Sequence, residues 1–321
     1  MRPTISICIP CYESERFIRT TIESALAQTV PALEILISDD NSPDRTGEII
    51  AEYADIPTVR LLRTPQRLTL GEHYRFLLER AAGDFICFLS HDDALMPSFI
   101  EIMLGKLEDD VALIAAACVE CDSRLVPRRV RGIALPRQTL LAPGGYLHFR
   151  RGNGYTISFS LMSREALLQI PWLPPEGDLA TDWYWAMMLG LRGKVKFERK
   201  PLGYYRLHDS NASHGPNRWR RACKAMLEFL RGKVAVEYAE YIDGHLERLR
   251  EQIAAWERGE GNASTPSIRL RLKQTAKRLI AVRYRLLPEP ILKAEKGIST
   301  AIERKRGARP RPETRTVSNK F

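Results

Sequence analysis

The chain has no apolar run long enough to cross a bilayer. Its longest uninterrupted stretch, 111–119, is nine residues, against the roughly 20 that a spanning helix needs. Nor does it open with a charged leader and an apolar core, since only Arg2 precedes a short strand-like run ending at Pro10. No secretory signal is expected, and the expected location is cytoplasmic. Glycine is missing where a dinucleotide site would need it. Pro10-Cys11-Tyr12 follows the first apolar run in place of G-x-G-x-x-G, which argues against nicotinamide-dependent chemistry. A glycine-rich basic loop, as a nucleotidyltransferase would want, is absent from the same place. The pairs Cys8/Cys11 and Cys118/Cys121 stand more than a hundred residues apart, not the 15–20 of a compact zinc module. Cys8 and Cys118 lie inside apolar runs and read as small buried hydrophobes. No recognition module or aromatic-basic platform points to nucleic acid.

What is present suits an ordinary globular chain. Of 321 residues, 44% are hydrophobic and 27% charged, enough to bury a core and too apolar for disorder. The net charge of +10 is unevenly spread: residues 1–215 carry 24 Lys+Arg against 27 Asp+Glu, whereas 216–321 carry 25 against 12. The basicity belongs to the end of the chain, where 269–321 alone accounts for +12.

The first 120 residues alternate strand and helix patterns. Apolar runs at 4–9, 33–38, 59–62, 85–89 and 111–119 are separated by amphipathic stretches, the first of them pairing Phe17/Ile18, Thr21/Ile22 and Ala25/Leu26 at spacing four. Alternating βα units predict a mostly parallel sheet with helices on both faces. Ligands of such sheets bind beyond the carboxyl ends of the strands. Asp39-Asp40 and Asp92-Asp93 each follow an apolar run directly, so they should meet at that edge. Residues 122–180 read as irregular, 182–191 as a helix, and 195–197 with 203–207 as two short strands. A helical pattern covers 219 to about 256, and Pro266 opens another with arginines and lysines around an apolar stripe. The end from 304 is Pro/Arg-rich and expected to be disordered. The expected divisions are therefore 1–215, a helical basic extension 216–303, and a tail 304–321.

The sharpest signal is Phe85-Ile86-Cys87-Phe88-Leu89-Ser90-His91-Asp92-Asp93. Carboxylates at a strand end suit a hard cation such as Mn²⁺ or Mg²⁺, which keeps positions for water and substrate phosphates. A solvated turn ahead of the helix near Pro97 is the plainer alternative. The decision comes from the company this motif keeps. Ile5 to Glu13, Gln28-Thr29, and Glu34 to Asp44 with its Ser38-Asp39-Asp40-Asn41 centre occur in that order. Ser90-His91-Asp92-Asp93 follows, then Gly152-Asn153, Ala180-Thr181-Asp182-Trp183 and Tyr205-Arg206-Leu207-His208 with Asn211 and Ser213. Together these segments resemble the family-two inverting glycosyltransferases over roughly residues 4–215.

The resemblance implies a GT-A fold, a Rossmann-like mostly parallel sheet flanked by helices, here with a C-terminal helical extension. It implies a nucleotide-diphosphate-sugar donor, UDP- or dTDP-linked, and a glycan or lipid-linked acceptor, in envelope or surface polysaccharide synthesis. Residue by residue, Pro10 and Tyr12 would line the base pocket and Asp40 would contact the base. Asp92 would lie beside the diphosphate, Asp93 and His208 would hold the Mn²⁺ or Mg²⁺, and Asp182 would be the general base. Asp182 also stands where an aspartate often merely caps a helix. Three positions depart from the family pattern: Thr181 replaces a glutamate, His91 an acid, and Glu13 a frequent asparagine. A non-catalytic nucleotide-sugar-binding protein of the same fold is the alternative. The basic amphipathic segment after Pro266 fits peripheral contact with anionic membrane on the cytoplasmic face, or a helix packed on the catalytic domain.

Overall fold

Runs that are apolar at every position become strands buried on both faces. In a computed structural model, which describes residues 2–132, 136, 138–209, 216–234 and 236–258, all seven residues of β1 (Ile5–Cys11) are buried. In chain order there follow α1 (Ile18–Leu26), β2 (Glu34–Asp39), α2 (Thr46–Ala51), β3 (Val59–Arg63), α3 (Leu70–Arg80), β4 (Phe85–Phe88), β5 (Ala94–Leu95) and α4 (Phe99–Leu104). The second half supplies β6 (Val111–Cys121), β7 (Pro127–Arg131), α5 (Gly144–Phe149), β8 (Ser160–Ser163), α6 (Arg164–Leu168), α7 (Thr181–Arg192), β9 (Lys194–Arg206), α8 (Pro216–Arg231) and α9 (Val236–Glu257). The predicted helix from Pro266, the tail from 304, and Asn211 and Ser213 lie outside the described residues.

The strands form one sheet in the order β3-β2-β1-β4-β8-β6-β9-β5, with β7 on β6. The block β3-β2-β1-β4 is parallel. Beyond it β8 runs antiparallel to both β4 and β6, while β6 and β9 are parallel. Side chains alternate between two cores, as strand periodicity requires. Ile7, Ile9, Ile35 and Ile37 face α1, α2 and α4. Cys8 and Leu36 face the other side, with α3, α5, α7, α8 and α9. Ala222, Met226 and Leu230 of α8 and Ile242, Leu246 and Leu249 of α9 belong to that second core. These helices thus join that core by an apolar stripe, α8 against α7 and the 175–180 turn and α9 against α8.

Local chemistry sets the ends nearest the cleft. Thr69 and Glu72 form a reciprocal capping box that starts α3. Helix α7 approaches α5 so closely that a Cβ on Gly190 would overlap the backbone of Gly145 and Tyr146, fixing the helix whose first turn carries Asp182. The two short strands expected at 195–197 and 203–207 are one continuous strand, β9. Its pairing with β6 slips between Ala116↔Glu198 and Ala117↔Pro201. Proline cannot donate to the ladder and sits at a bulge, so the sequence pattern breaks where the strand does not.

Candidate active site

The carboxyl ends of β1 and β4, the start of α3, the strand β7 and the first turns of α7 and α8 enclose a cleft of about 1480 Å³. Pro10, Tyr12 and Glu13 line one end, Ser90, His91 and Asp92 the middle, and Asn153, Tyr155, Thr181 and Asp182 the other end. Residues predicted from distant motifs therefore share one wall.

At the first end, the Arg67 guanidinium lies 3.5 Å above the Tyr12 ring and is ion-paired with Asp40. Asp40 is wholly buried. It accepts from Thr64 Oγ1 at 2.6 Å and from Leu68 N at 3.0 Å. The cleft is lined by Arg67 and Leu68, and Asp40 stands behind them. Asp40 thus positions Arg67 and the 67–68 backbone, a role no spacing in the sequence announces.

The Asp-Asp pair after β4 splits. Asp92 lines the cleft, and its Oδ2 is 2.9 Å from His208 Nε2. Burial pushes the Asp92 carboxyl up, but the His208 hydrogen bond and the nearby His91 hold it below the ordinary carboxylate range. Asp93 is turned into the fold, accepting from Ser158 Oγ at 2.6 Å and from Arg206 N at 3.0 Å. Burial, then the neighbouring Asp92 charge, drive its carboxyl well above the usual range. Of the two, Asp92 faces the cleft and Asp93 is enclosed by the fold, unlike the expectation that gave the metal to Asp93. Arg206 clamps this turn from beneath, donating Nε to Asp92 O at 2.6 Å and stacking over Phe17 at 4.6 Å. Thr21 Oγ1 donates to the carbonyls of His91 (2.8 Å) and Asp93 (2.7 Å). Helix α1 thereby holds the same turn.

Among the described residues no group of three or more His, Cys, Asp or Glu converges on a point that could hold a metal. The donors that do face one another are the Asp92 carboxylate and the His208 imidazole. They would supply two donors to a Mn²⁺ or Mg²⁺, ions that usually keep positions for substrate phosphates and water.

At the other end, Asp182 is the second residue of α7. Its Oδ1 accepts from Trp183 N at 2.7 Å, and its Oδ2 accepts from Asn153 Nδ2. Burial raises its carboxyl to about 6, against the pull of those two hydrogen bonds and of Arg131. Tyr155 Oη donates to the Asp182 carbonyl at 2.7 Å, and Trp183 Nε1 donates to Phe149 O at 2.7 Å. The carboxylate is thus both oriented and poised near neutral pH, as a general base needs. Thr181 Oγ1 is buried and bonds nothing among the described residues. Arg67, Arg131, Ser158 and Arg206 were not singled out by sequence reasoning. Arg206 stood inside a quoted segment, whereas Arg67 and Arg131 belong to no pattern.

A Rossmann-like sheet carrying acidic residues beyond its strand ends, over an open cleft, defines the class: an α/β protein with its ligand site at the carboxyl edge of the sheet. The model of the family "Glycosyl transferase family 2" matches residues 6–168, just over half of the chain. The protein belongs to that family. It is 35% identical over 127 residues to a chondroitin synthase of Escherichia coli, covering 39% of this chain and 18% of that one. It is 30% identical over 173 residues to an uncharacterized glycosyltransferase of Haemophilus influenzae, covering 53% and 66%. The chain spans only 18% to 37% of the length of the first three curated relatives it matches. The fold is that of S. aureus TarS 1-349 solved in complex with UDP-GlcNAc: TM-score 0.59 at 16% identity, over 77% of this chain and 72% of the other. None of the described helices is long and apolar enough to span a membrane.

Proposed function

We propose that the protein is an inverting glycosyltransferase. It moves a sugar from a nucleoside-diphosphate donor, UDP- or dTDP-linked, to a hydroxyl of a glycan or lipid-linked acceptor. The observation that carries this is Asp182: a carboxylate raised to about 6 in the same cleft as Tyr12, Arg67 and Asp92.

The nucleobase lies against Tyr12, Pro10 and Arg67, where a flat aromatic and a guanidinium plane offer stacking and hydrogen bonding. The diphosphate lies by Asp92 and His208, which would hold Mn²⁺ or Mg²⁺ there. The bound cation would stabilise negative charge on the departing diphosphate. Asp182 accepts the proton of the acceptor hydroxyl as that oxygen forms its bond to the anomeric carbon. The bond to the diphosphate oxygen breaks on the opposite side with its electron pair, which inverts the configuration. Asn153 and the Trp183 N–H hold Asp182 in place through this transfer. The relatives support a place in envelope or surface polysaccharide synthesis. The excess positive charge of residues 269–321 supports peripheral contact with an anionic membrane from the cytoplasmic side.

The test is a thermal-shift panel of UDP, dTDP, GDP and CDP with and without Mn²⁺, followed by turnover with sugars of the nucleotide that binds. Expected are a metal-dependent shift for one nucleotide and a product whose anomeric configuration, read by NMR, is opposite to the donor's. Retained configuration refutes the mechanism. A shift without turnover on any donor or acceptor leaves the non-catalytic nucleotide-sugar-binding protein.

A further inference from the structure

Five arginines line the cleft: Arg67, Arg129, Arg131, Arg218 and Arg221. Three are matched by carboxylates. Arg67 pairs with Asp40, Arg129 with Glu120 at 2.8 Å and Arg221 with Glu257 at 2.9 Å. Arg131 and Arg218 have no ion-pair partner among the described residues.

Arg131 lies near Asp182, and Arg218 lines the same cleft. Arg131, the last residue of β7, lies over the Tyr205 ring at 4.7 Å, which fixes the plane of its guanidinium. It is near enough to Asp182 to pull that carboxyl down electrostatically. Arg218 comes from the first turn of α8, beside Trp219, whose ring stacks on Trp183 at 6.2 Å. Trp183 directly follows Asp182. Strand β7 and helix α8 therefore bring two arginines without a carboxylate partner among the described residues to the cleft that holds Asp182. A neutral sugar hydroxyl offers such a group a single uncharged acceptor, whereas a phosphate or carboxylate matches its fork of donors in charge and geometry.

We propose that the acceptor carries an anionic oxygen group, phosphate or carboxylate, near the hydroxyl that is glycosylated, and that Arg131 and Arg218 receive it. This rests on the reading of the protein as a glycosyltransferase with Asp182 as base. It adds the chemical class of the second substrate, which that reading leaves open. The competing claimant for the two arginines is the donor diphosphate.

The experiment compares matched probes that differ in charge alone: glycerol 1-phosphate against glycerol, and methyl glucuronoside against methyl glucoside. Affinities are measured by calorimetry on the full chain with Mg²⁺, without and with UDP. An anionic probe should bind at least about tenfold more tightly than its neutral twin. Arg131→Gln and Arg218→Gln should each remove most of that advantage while changing UDP affinity less than about twofold. Arg131→Lys and Arg218→Lys, which keep the charge but lose the fork, should retain part of it and guard against loss of fold. Preference within the glycerol pair assigns a phosphoester acceptor, and preference within the glucoside pair an acidic sugar. Equal affinity for charged and neutral members of both pairs overturns the proposal. So does a pair of Gln variants that weaken UDP and leave the probes untouched, which would give the arginines to the diphosphate. Failure of wild-type protein to bind any nucleotide would sink the transferase reading instead, and is read in a separate titration.

Discussion

The two ends of the cleft hold their carboxylates in opposite ways. Asp40, behind the end at Tyr12, is fully enclosed, with Thr64, Leu68 N and Arg67 all directed onto its oxygens. Asp182, at the far end, has Trp183 N and Asn153 on its oxygens and is raised to about 6. The first arrangement spends its acceptors on the shape of the site and leaves a guanidinium to meet ligand. The second leaves a carboxylate unsatisfied enough to take a proton. An acidic residue at a strand or helix end can thus build the wall or do the chemistry, and its hydrogen-bond partners decide which.

Replacing Asp182 should break this contrast most severely. On the proposed mechanism Asp182→Asn keeps the shape and removes the base, so kcat/KM should fall by ~10²–10⁴ with nucleotide affinity unchanged. In the wild type, kcat/KM should rise with pH through an apparent pKa of about 6, because only the ionised carboxylate accepts the proton. A pH-independent rate between 5 and 8, with donor and acceptor saturating, would remove Asp182 from the mechanism. Stability should move the other way. A carboxyl whose folded pKa exceeds its unfolded value contributes stability at low pH, and that contribution is lost as pH rises from about 4 to about 6. Above that range Asp182→Asn should be more stable than wild type, by ~1–3 kcal/mol, read by urea unfolding at pH 8.

The Asp92–Asp93 pair sharpens the same comparison inside one turn. With UDP at 100 times its dissociation constant and Mg²⁺ present, wild type should gain ~2.7 kcal/mol. Asp92→Ala should forfeit most of that gain, on top of the ~1–3 kcal/mol it loses without ligand as His208 Nε2 loses its partner. Asp93→Ala should lose ~1–3 kcal/mol without any ligand, because Ser158 Oγ and Arg206 N lose their acceptor. If the two variants behave alike in both measurements, the division of labour between them is wrong.

The end of the cleft fed by β1, β2 and β4 was the more legible in sequence, and the reason is physical. Each strand there is a continuous apolar run followed at once by its functional loop, so order along the chain is order in space. Even so, the motif could not separate Asp92 from Asp93, because both sit on one turn and only the three-dimensional partners Ser158, Arg206 and His208 tell them apart. The other end is assembled from segments 131, 153–158, 182 and 219, which no local pattern links. Strand β9 was split in two because Pro201 and the charged stretch before it mimic a loop, though they occupy a bulge within a ladder. Arg131 had no signal at all, being one of several arginines around an irregular-looking stretch.

Gly190→Ala addresses how rigidly the Asp182 end must be held. The added methyl meets the α5 backbone, which cannot retreat as a side-chain tip would. Overpacking of this kind costs ~1–3 kcal/mol. Because α7 carries Asp182, turnover should fall along with the midpoint of unfolding, while UDP affinity at the other end holds. Equal losses of both would mean that the two ends move as one body.

The smallest expected effect lies at the donor end, at Glu13. Its φ is +48°, in the left-handed region where a side chain other than glycine or asparagine costs roughly 1–2 kcal/mol. The frequent asparagine that the family resemblance expects at this position suits such a backbone. Glu13 N donates to Ser42 Oγ at 3.1 Å, tying the β1 loop to the β2 loop whose Asn41 has φ +56°. Glu13→Asn should keep that tie, relieve the backbone, and stabilise the protein by up to about 1 kcal/mol, seen as a higher urea midpoint. If nucleotide affinity rises by more than that stabilisation allows, the glutamate charge itself opposes the donor diphosphate, and the departure from the family pattern at Glu13 is a brake on donor binding.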